Sequence, residues 1–318
     1  MTSRFRNKLS EDLFLTLAEV SELILTAPER YKVFTIAKKS SKNKRRTICQ
    51  PSKELKLIQR YVAKTYLQKF NIHSSATAYL TGCSAYKNSC LHSKNSYINK
   101  YDFKDFFNSI SKSDFILFMK SFCKFDLTPN DIEDLSNILF WNDHRNRKYV
   151  LAIGAPTSPI VSNILMNNYD KSCFEYCNSH EVTYTRYADD IVISSAKKEA
   201  LKKCEAYLFN NKSLSGISCL EFNNQKTKRL SKKGKRVVTG FIISNEGKPS
   251  LGREKKRLLR SMIYRALHGY KDLEILGYIL GMLGHIKSID LPFLKSLKKT
   301  YGEDFIDKIK QLDASKSA

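Results

Sequence analysis

The sequence predicts an α+β fold, and three observations support this class. Strands and helices alternate without the regular strand–helix–strand period of a doubly wound sheet. Two apolar, β-branched runs, Val182–Tyr187 and Ile191–Ser195, are separated by only three residues, which is typical of an antiparallel hairpin. The chain after Gly252 has helical periodicity, interrupted by glycines. With 318 residues and 42% apolar composition, the chain is long enough to bury a substantial core.

The individual elements follow from local patterns of polarity and from helix-start signals. Predicted helices cover Glu11–Leu25, Lys53–Phe70, Ser113–Phe122, Asp131–Trp141, Pro156–Cys177 and Glu199–Phe209. Predicted strands cover Tyr31–Ile36, Arg46–Cys49, Tyr97–Phe103, Val182–Tyr187, Ile191–Ser195 and Arg236–Ser244. The longest predicted helix, Pro156–Cys177, begins directly after Gly154-Ala155, and no internal repeat divides the chain.

The charge is strongly basic, with 55 Lys and Arg against 31 Asp and Glu, a net of +24. The excess lies in two segments. Residues 32–60 carry ten cations and one acid, and residues 224–268 carry fourteen cations and two acids, whereas residues 97–195 are nearly balanced. A neutral core between two basic arms favours a groove that binds the backbone of a nucleic acid.

Membrane, secreted and zinc-binding classes are disfavoured by the same sequence. The longest apolar stretch, Leu276–Ile286, contains three glycines and is shorter than the roughly 18 residues of a membrane span. The N-terminus lacks the apolar run of a signal peptide. Eight cysteines without a Cys-x-x-Cys pair indicate buried reduced thiols rather than zinc ligands or a disulfide framework. We therefore expect a cytoplasmic protein with no membrane partner.

Acidic residues occur at the ends of two predicted strands. Asp189 and Asp190 are adjacent at the tip of the predicted hairpin, and two ionised carboxylates about 4 Å apart repel by roughly 4 kcal/mol at an effective dielectric near 20. Asp102 ends the strand Tyr97–Phe103. If that strand lies beside the hairpin, three carboxylates converge with oxygen ligands suited to two Mg²⁺ ions, an arrangement used for nucleotidyl transfer. The alternative for the Asp-Asp pair is a solvated turn, and Asp105 is interpreted as a helix N-cap.

Three short sequence motifs, or boxes, occur in order along the chain, and the first and third contain these acids. They are residues 102–107, residues 154–159 and residues 187–190. In this order they resemble the first-acid box, the G-x-P-x-S-P loop and the Y-x-D-D box of the reverse transcriptases, and within them of the bacterial retron reverse transcriptases. The resemblance extends from Tyr31 to Gly302. It implies a right-hand polymerase fold with an antiparallel palm sheet. Its parts would be fingers over 1–95 with a contribution from about 111–150, a palm over 96–245 and a helical basic thumb over 246–318.

The resemblance also implies a role for each residue of the centre. Asp102 and Asp189 would bridge two Mg²⁺ ions, Asp190 would support one of them, and the main-chain carbonyl of Phe103 would add a ligand. Phe107 falls where the family has a bulky side chain that excludes ribonucleotides through contact with the 2′ position of the sugar. A core phenylalanine is the alternative. The implied activity is RNA-directed DNA synthesis from dNTPs.

Further residues near the acids are assigned to nucleotide binding. Arg46 resembles the finger cation that grips the triphosphate, because a guanidinium donates two hydrogen bonds to phosphate; a solvated basic loop is the alternative. Gly154 and Ala155 leave room for the backbone to approach the nascent base pair. Lys226 matches the loop lysine near the leaving pyrophosphate. Ile153 departs from the family, since many members have glutamine there, and a polar contact near the sugar is absent.

Two shorter boxes indicate retrons specifically. Residues 88–92, Asn-Ser-Cys-Leu-His, resemble an N-A-x-x-H box with serine in place of alanine, and residues 238–240, Val-Thr-Gly, resemble a V-T-G box inside the predicted strand Arg236–Ser244. A satisfied loop histidine and an ordinary strand threonine are the alternatives. The resemblance assigns these box residues to RNA and DNA binding: Asn88, His92, Val238, Thr239 and Gly240.

A basic face marks the predicted helix after Gly252. Apolar residues form its other face, so that one side packs and the other is cationic. This pattern resembles a polymerase thumb helix and suits RNA, which is recognised largely through its shape and backbone; a plain solvated face is the alternative. The cations assigned to RNA and DNA binding are Arg253, Lys256, Arg257 and Arg260.

The resemblance to retrons implies a particular reaction. The template would be a cognate structured non-coding RNA, synthesis would begin at the 2′-OH of an internal guanosine, and the product would be a branched RNA–DNA hybrid. Such units serve anti-phage defence together with a separate effector protein. Two alternatives remain at this point: another bacterial reverse transcriptase, such as a group II maturase or an abortive-infection polymerase, and a non-catalytic RNA-binding protein that keeps the palm as a scaffold.

Overall fold

The computed structural model describes residues 3–38, 41–122, 127–270 and 272–314. Within these ranges the helices are α1 (Arg4–Leu13), α2 (Leu17–Thr26), α3 (Lys53–Thr65), α4 (Ala85–Leu91), α5 (Phe106–Ser109), α6 (Lys112–Phe122), α7 (Pro129–Leu139), α8 (Ser158–Leu165), α9 (Asn167–Ser179), α10 (Lys198–Asn210), α11 (Arg253–Leu267), α12 (Leu273–Ile289), α13 (Leu291–Tyr301) and α14 (Phe305–Ala314). Within the same ranges, no helix is both long and apolar enough to cross a bilayer.

The strands are short except for the first two. They are β1 (Tyr31–Lys38), β2 (Ser41–Pro51), β3 (Tyr97–Asp102), β4 (Trp141–Asp143), β5 (Lys148–Val150), β6 (Thr183–Tyr187), β7 (Asp190–Ser195), β8 (Lys228–Ser231), β9 (Arg236–Val238), β10 (Phe241–Ile243) and β11 (Pro249–Ser250). The chain divides into two compact units. The first unit comprises residues 1–83 and 96–229, and the second comprises residues 84–95 and 230–318.

A four-stranded sheet with the order β6-β7-β3-β8 forms the centre of the first unit. Strand β7 is antiparallel to both β6 and β3. Its residues 191–195 are all buried, as expected for the inner strand of a sheet. Helices α9 and α10 cover this sheet, and their buried thiols, Cys173, Cys177 and Cys204, belong to its hydrophobic core. The β-branched run that predicted the hairpin therefore becomes the strand on which the acids are mounted.

The first unit also contains a long two-stranded ribbon and a group of capped helices. Strands β1 and β2 pair antiparallel from Tyr31 opposite Pro51 to Ala37 opposite Arg45. The amide of Cys49 in β2 donates to the Ile153 carbonyl oxygen at 2.9 Å, which ties the ribbon to the loop before α8. Helix α7 begins with a Thr128 capping box, which satisfies otherwise unpaired amides at the helix start.

The second unit combines α4 with a small sheet and four C-terminal helices. Strands β11, β10 and β9 form that sheet, and α4 packs on it through an edge-to-face contact of the Tyr86 and Phe241 rings, whose centroids are 5.4 Å apart. Its core contains side chains that recur at helical spacing along α11 to α14, with exposures of 5% or less. They include Leu259, Ile263, Leu276, Ile279, Leu283, Leu297, Phe305 and Ile309.

Three predicted elements are divided in the structure. The helix predicted over Glu11–Leu25 is two helices, because Phe14 adopts the left-handed conformation and Thr16 starts α2 with a capping box. The helix predicted over Pro156–Cys177 is divided at Met166 into α8 and α9. The strand predicted over Arg236–Ser244 is instead the hairpin β9–β10, in which Val238 pairs with Phe241. Glycines 277, 281 and 284, expected to interrupt a helix, lie within α12.

Candidate active site

The two acidic segments meet at the end of the central sheet. Asp102, the last residue of β3, pairs directly with Asp190, the first residue of β7. The next amide, that of Phe103, donates to the main-chain oxygen of Asp189 at 3.3 Å. Asp189 follows Ala188, which has a left-handed φ of 58° in the tight turn between β6 and β7. The antiparallel register therefore brings together three carboxylates from distant parts of the sequence.

Like charges and burial determine the electrostatics of this cluster. Burial, with the neighbouring charges of Asp190 and Asp102, raises the pKa of Asp189 to about 6. Burial likewise raises the pKa of Asp190. Asp102 has a cationic partner, since the Lys226 ammonium donates to its two carboxylate oxygens at 2.8 and 3.1 Å. The raised pKa values of the pair at the turn thus have burial as their main cause, with repulsion between the carboxylates adding to it.

Lys226 reaches Asp102 because its loop is anchored to the same strand. The amide of Asn223 donates to the main-chain oxygen of Asp102 at 2.7 Å, and Phe222 forms an isolated bridge with Phe103. The Phe103 ring is buried and stacks on Phe222 at 4.7 Å between centroids. The contacts of Phe103 and Asn223 thus fix the backbone at Asp102 and directly after it.

The donor set of this cluster fits a hard divalent cation. Three carboxylates and a main-chain carbonyl are oxygen ligands of the kind that Mg²⁺ prefers. In the described part of the chain, no three His, Cys, Asp or Glu side chains are already arranged as a metal cage. The residues therefore supply suitable ligands, and the Lys226 ammonium is the cation that Asp102 contacts in this structure.

An open cleft of about 380 Å³ lies in front of the acids in the first unit. Its lining contains both acids and cations. It comprises Arg45, Arg46, Thr47, Tyr79, Phe103, Asp105, Phe106, Phe107, Asn108, Trp141, Asp143, Arg145, Asn146, Ile153, Asp189 and Lys226. Anionic groups entering it would meet three arginines and a lysine, which suits a polyphosphate substrate.

The chain matches the family described as reverse transcriptase (RNA-dependent DNA polymerase) over residues 36–280. The chain belongs to the reverse transcriptase family. It is 32% identical over 285 residues to the retron Ec83 reverse transcriptase of Escherichia coli, covering 88% of this chain and 90% of that relative. It is 31% identical over 303 residues to the retron Ec86 reverse transcriptase of the same organism, covering 91% and 88%. The predicted enzyme class, RNA-directed DNA polymerase, and the predicted α+β right-hand polymerase fold are confirmed.

Solved telomerase structures give weaker similarity. The structure of telomerase from Candida tropicalis in complex with a fragment of telomeric RNA has a TM-score of 0.48 and 14% identity, covering 94% of this chain and 57% of that chain. The structure of telomerase from Candida albicans in complex with a similar fragment has a TM-score of 0.47 and 14% identity, covering 89% and 59%. The chain thus spans more than half, but less than two thirds, of these telomerase chains.

Three of the five predicted nucleotide-binding residues of the reverse transcriptase, Arg46, Phe107 and Lys226, line the cleft, and Gly154 and Ala155 follow its lining residue Ile153 in sequence. The Phe107 ring is partly buried, with its centroid 5.5 Å from that of Phe106. Gly154 follows Ile153 of the lining and has a φ of 120°; a Cβ there would lie 3.0 Å from the Cys49 carbonyl oxygen. The glycine is therefore required for close packing on β2. Ala155, also predicted, is buried.

The sequence analysis did not single out three side chains that line the cleft. Arg45 adjoins Arg46 and belongs to the same basic run, and this run could have indicated that Arg45 also lines the site. Arg145 lies between β4 and β5 and has no motif around it. Tyr79 has a φ of 64° and is 58% exposed. A left-handed tyrosine is uncommon and no local pattern predicts it.

The two short boxes meet each other inside the second unit of the reverse transcriptase. Asn88, His92 and Val238 are all fully buried. The Thr239 hydroxyl donates to the main-chain oxygen of Ala85 at 2.5 Å, which joins the β9–β10 turn to the start of α4. Complete burial lowers the pKa of His92 to about 3, so the imidazole is neutral at physiological pH. The side chains of these boxes thus form part of the packing of this unit.

Gly240 and Thr239 form the tip of that hairpin. Their φ values are 86° and 44°, and the two residues connect the paired positions Val238 and Phe241. Both central residues of this turn are left-handed, as in the two-residue turns that match the twist of a hairpin. Gly240 is exposed, whereas Thr239 is half-buried. The V-T-G box is therefore a turn, and only its tip faces outward.

The cations assigned on α11 differ in their surroundings. Arg253 and Arg257 are exposed. The Lys256 ammonium lies 2.6 Å from the Asp290 carboxylate and 4.8 Å from the centroid of the Phe293 ring. Arg260 also lies over Phe293, with its guanidinium carbon 5.0 Å from the centroid. Two of the four cations thus stabilise the contact between α11 and α13, in addition to any contact with nucleic acid.

Proposed function

We propose that this reverse transcriptase is of the retron type. It copies a cognate structured non-coding RNA into DNA, begins from the 2′-OH of an internal guanosine, and leaves a branched RNA–DNA hybrid. Support comes from relatives named as retron reverse transcriptases, which match this chain over about nine tenths of its length. The N-S-x-x-H and V-T-G boxes add support, because Thr239 of the second box is hydrogen-bonded to the start of α4, which carries most of the first, within one unit.

We further propose two-metal nucleotidyl transfer at the acidic cluster. Asp102, Asp189, Asp190 and the Phe103 carbonyl would hold two Mg²⁺ ions, which supply charge neutralisation and activation of the attacking hydroxyl. The observation that carries this proposal is the direct cross-strand pairing of Asp102 with Asp190, with Asp189 beside them in the lining of a cleft that also contains arginines. Neither acidic segment could perform this chemistry alone.

The side chains around the acids bind and orient the dNTP. Arg46 holds the triphosphate through paired hydrogen bonds from its guanidinium. Lys226 leaves Asp102 for the leaving pyrophosphate, where its ammonium neutralises charge or donates a proton. Phe107 packs against the 2′ position of the sugar and disfavours ribonucleotides. Ala155 and Gly154 keep the loop before α8 tight against β2, so that Ile153 presents an apolar surface to the nucleotide.

RNA binding is assigned to the second unit. Arg253, Lys256, Arg257 and Arg260 contact phosphates, and the tip formed by Thr239 and Gly240 approaches the RNA. In this assignment residues 1–95, with a contribution from about 111–150, act as fingers, residues 96–245 as the palm and residues 246–318 as the thumb. The DNA–RNA product serves anti-phage defence together with a separate effector protein.

Primer extension on an RNA template with Mg²⁺ and dNTPs tests the catalytic proposal. The wild type is compared with Asp189→Asn and with Asp105→Asn as the matched control. Asp105 lies in the same cleft and has a left-handed φ of 41°, which asparagine tolerates. We expect Asp189→Asn to lose extension and Asp105→Asn to extend within threefold of the wild type. Equal extension by the wild type and Asp189→Asn would contradict the mechanism.

The retron assignment has a separate test. Nucleic acid that copurifies with the protein from cells carrying its native locus is sequenced before and after treatment with a debranching enzyme. A retron product contains DNA joined to RNA through a 2′ linkage, so that debranching changes its mobility and releases a free DNA 5′ end. Recovery of bulk cellular RNA alone would leave a general reverse transcriptase and would overturn the retron proposal.

A further inference from the structure

A fully buried ion pair lies behind the turn that carries the adjacent acids. Asp170 of α9 and Arg186 of β6 have no exposed side-chain surface. Arg186 Nε donates to the two carboxylate oxygens of Asp170 at 2.9 and 3.1 Å, and Nη2 donates to Oδ2 at 2.5 Å. The Tyr184 hydroxyl donates to Asp170 Oδ1 at 2.8 Å. The carboxylate thus holds the guanidinium in one orientation.

The remaining guanidinium nitrogen points toward the active site. Arg186 Nη1 donates to the carbonyl oxygen of Ala188 at 2.9 Å. Ala188 directly precedes Asp189 and is left-handed, a conformation that costs free energy for a residue with a Cβ atom. Such a conformation persists where the surroundings over-determine it. The hydrogen bond from Arg186 fixes the peptide group between Ala188 and Asp189. It is therefore one of the contacts that hold Ala188 in its left-handed conformation.

The main chain of Arg186 is also anchored. Its amide donates to the Ser75 carbonyl oxygen at 2.8 Å, and its carbonyl oxygen accepts from the Thr77 amide at 2.8 Å. The guanidinium therefore extends from a fixed origin on β6 to a fixed partner on α9. A side chain held at both ends can set the position of a third group, here the Ala188 carbonyl, within narrow limits.

Stability alone is a poor explanation for this pair. Removing two charges from water often costs more free energy than their mutual attraction returns. A protein with apolar residues of similar volume in their place is frequently as stable. The surrounding core is apolar, with Cys173 and Cys177 of α9 fully buried nearby on the same helix. A buried charged pair at this place is better explained by the geometry that it imposes on the turn.

We infer that Arg186 is a positioning residue for the polymerase reaction: held by Asp170, it fixes the Ala188 carbonyl and thereby the placement of the Asp189 carboxylate. This inference rests on the proposed metal-dependent function of Asp189. Arg186 does not touch the substrate, and its effect passes entirely through the turn. Its removal should therefore alter metal binding and turnover more than nucleotide binding.

The test removes the network without leaving a buried charge or hydroxyl unpaired. The triple variant Asp170→Leu, Tyr184→Phe, Arg186→Met replaces all three members by apolar groups. The matched control is Arg6→Met with Asp134→Leu, which removes a two-bond Arg–Asp pair between α1 and α7, with both bonds at 2.7 Å, in the same unit. Thermal unfolding, Mn²⁺ binding by electron paramagnetic resonance, and primer extension are measured for each protein.

We expect the triple variant to unfold within a few degrees of the wild type. Mn²⁺ binding should weaken by about 10- to 100-fold, as found when groups behind metal ligands are removed. The kcat of extension should fall about 100-fold, the scale of a misplaced reacting group, with the KM for dNTP changed less than threefold. The control should match the wild type in Mn²⁺ binding and turnover within threefold.

Provided that the wild type binds Mn²⁺, either of two results would overturn the inference. The first is a folded triple variant that binds Mn²⁺ and extends primers like the wild type. If the triple variant does not fold, Arg186→Lys decides, because it keeps the charge beside Asp170 but cannot span both Asp170 and Ala188. Wild-type Mn²⁺ affinity in that variant is the second contrary result, and a tenfold loss supports the inference. Failure of the wild type itself to bind Mn²⁺ would contradict the proposed function, and the inference with it.

Discussion

The two units present their motif residues in different ways. In the first unit, Asp189 lines an open cleft and Asp102 lies close to it, and the buried groups around them support a surface at which chemistry can occur. In the second unit, the matched residues Asn88, His92 and Val238 are themselves the buried packing. A matched motif therefore indicates that the identity of its residues matters. Only the fold shows whether the reason is contact with substrate or packing inside the unit.

The comparison predicts the largest effect for an acid of the cleft. The variant Asp102→Asn should reduce primer extension by at least about a thousandfold, because stabilisation of the reacting phosphate by bound metal contributes several kcal/mol. The fold should persist, since the pairing of β3 with β7 involves only the main chain and the amide side chain is nearly the same size as the carboxylate. Single-turnover extension and thermal unfolding measure the two quantities. If the Asp102→Asn protein were both inactive and unfolded, its acid would matter for stability as well as activity. The contrast with the buried motif residues of the second unit would then be lost.

The second unit should respond through stability, and His92 provides the next largest effect. Its folded-state pKa is about 3, whereas an unfolded histidine has a pKa of about 6.5. As pH falls below about 6.5, the unfolded state takes up a proton that the folded state excludes, so stability decreases by up to about 1.4 kcal/mol per pH unit. Unfolding by urea at pH 7.5 and pH 5 should therefore show a loss of about 2 kcal/mol.

The variant His92→Gln removes this titration. Its stability should change less between pH 7.5 and pH 5 than that of the wild type, because glutamine takes up no proton in either state. His268→Gln is the control, since it makes the same substitution at an exposed histidine of the same unit. An unchanged pH dependence in His92→Gln would show that His92 is not the buried neutral group on which the comparison depends.

Local sequence patterns were sufficient for much of the first unit. Apolar, β-branched runs predicted β6 and β7, and the bounds predicted for β3, β6 and β7 are each within one residue of the observed ones. Two of the three missed breaks occur where a residue other than glycine is left-handed, at Phe14 and Thr239, whereas the break at Met166 has a right-handed φ of −74°. Sequence reasoning expects glycine or asparagine at such positions. The tertiary hydrogen bond of the Thr239 hydroxyl, to a segment 154 residues earlier, cannot be derived from its neighbours in sequence.

The acids of the candidate site could be predicted from the sequence, but the residues that hold them in position could not. The acids lie in recognisable boxes, but their mutual placement depends on the register between β3 and β7, which are far apart in the chain. Asp170 and Arg186 were not singled out, because charged residues are expected at the surface. Their burial becomes visible only when α9 covers the sheet. Residues that act through the backbone of another residue leave little trace in a single sequence.

Thr239 allows a sharper form of the comparison. Replacing it by Val keeps the β-branch but removes the hydroxyl that donates to Ala85, which should cost about 1 kcal/mol of stability. Thr239→Ser keeps the donor and should be nearly neutral. Urea unfolding measures both, and RNA binding at a temperature where each variant is folded should stay within threefold of the wild type. A tenfold loss of RNA affinity in a stable Thr239→Ser variant would mean that the Thr239 side chain itself, and not only the turn that it helps to form, contacts RNA.

The smallest effects are expected for single cations of α11, and they separate two kinds of residue within one helix. Arg257 is exposed, so Arg257→Ala should leave stability unchanged and reduce the dependence of log affinity on log salt concentration by about one phosphate contact. Lys256 pairs with Asp290 and lies on Phe293, so Lys256→Ala should lower stability as well. RNA binding titrated across salt concentrations, beside unfolding curves, distinguishes them. If Lys256→Ala changed the salt dependence and left stability intact, its contact with Asp290 would be secondary to phosphate binding, and α11 would act as a uniform cationic face.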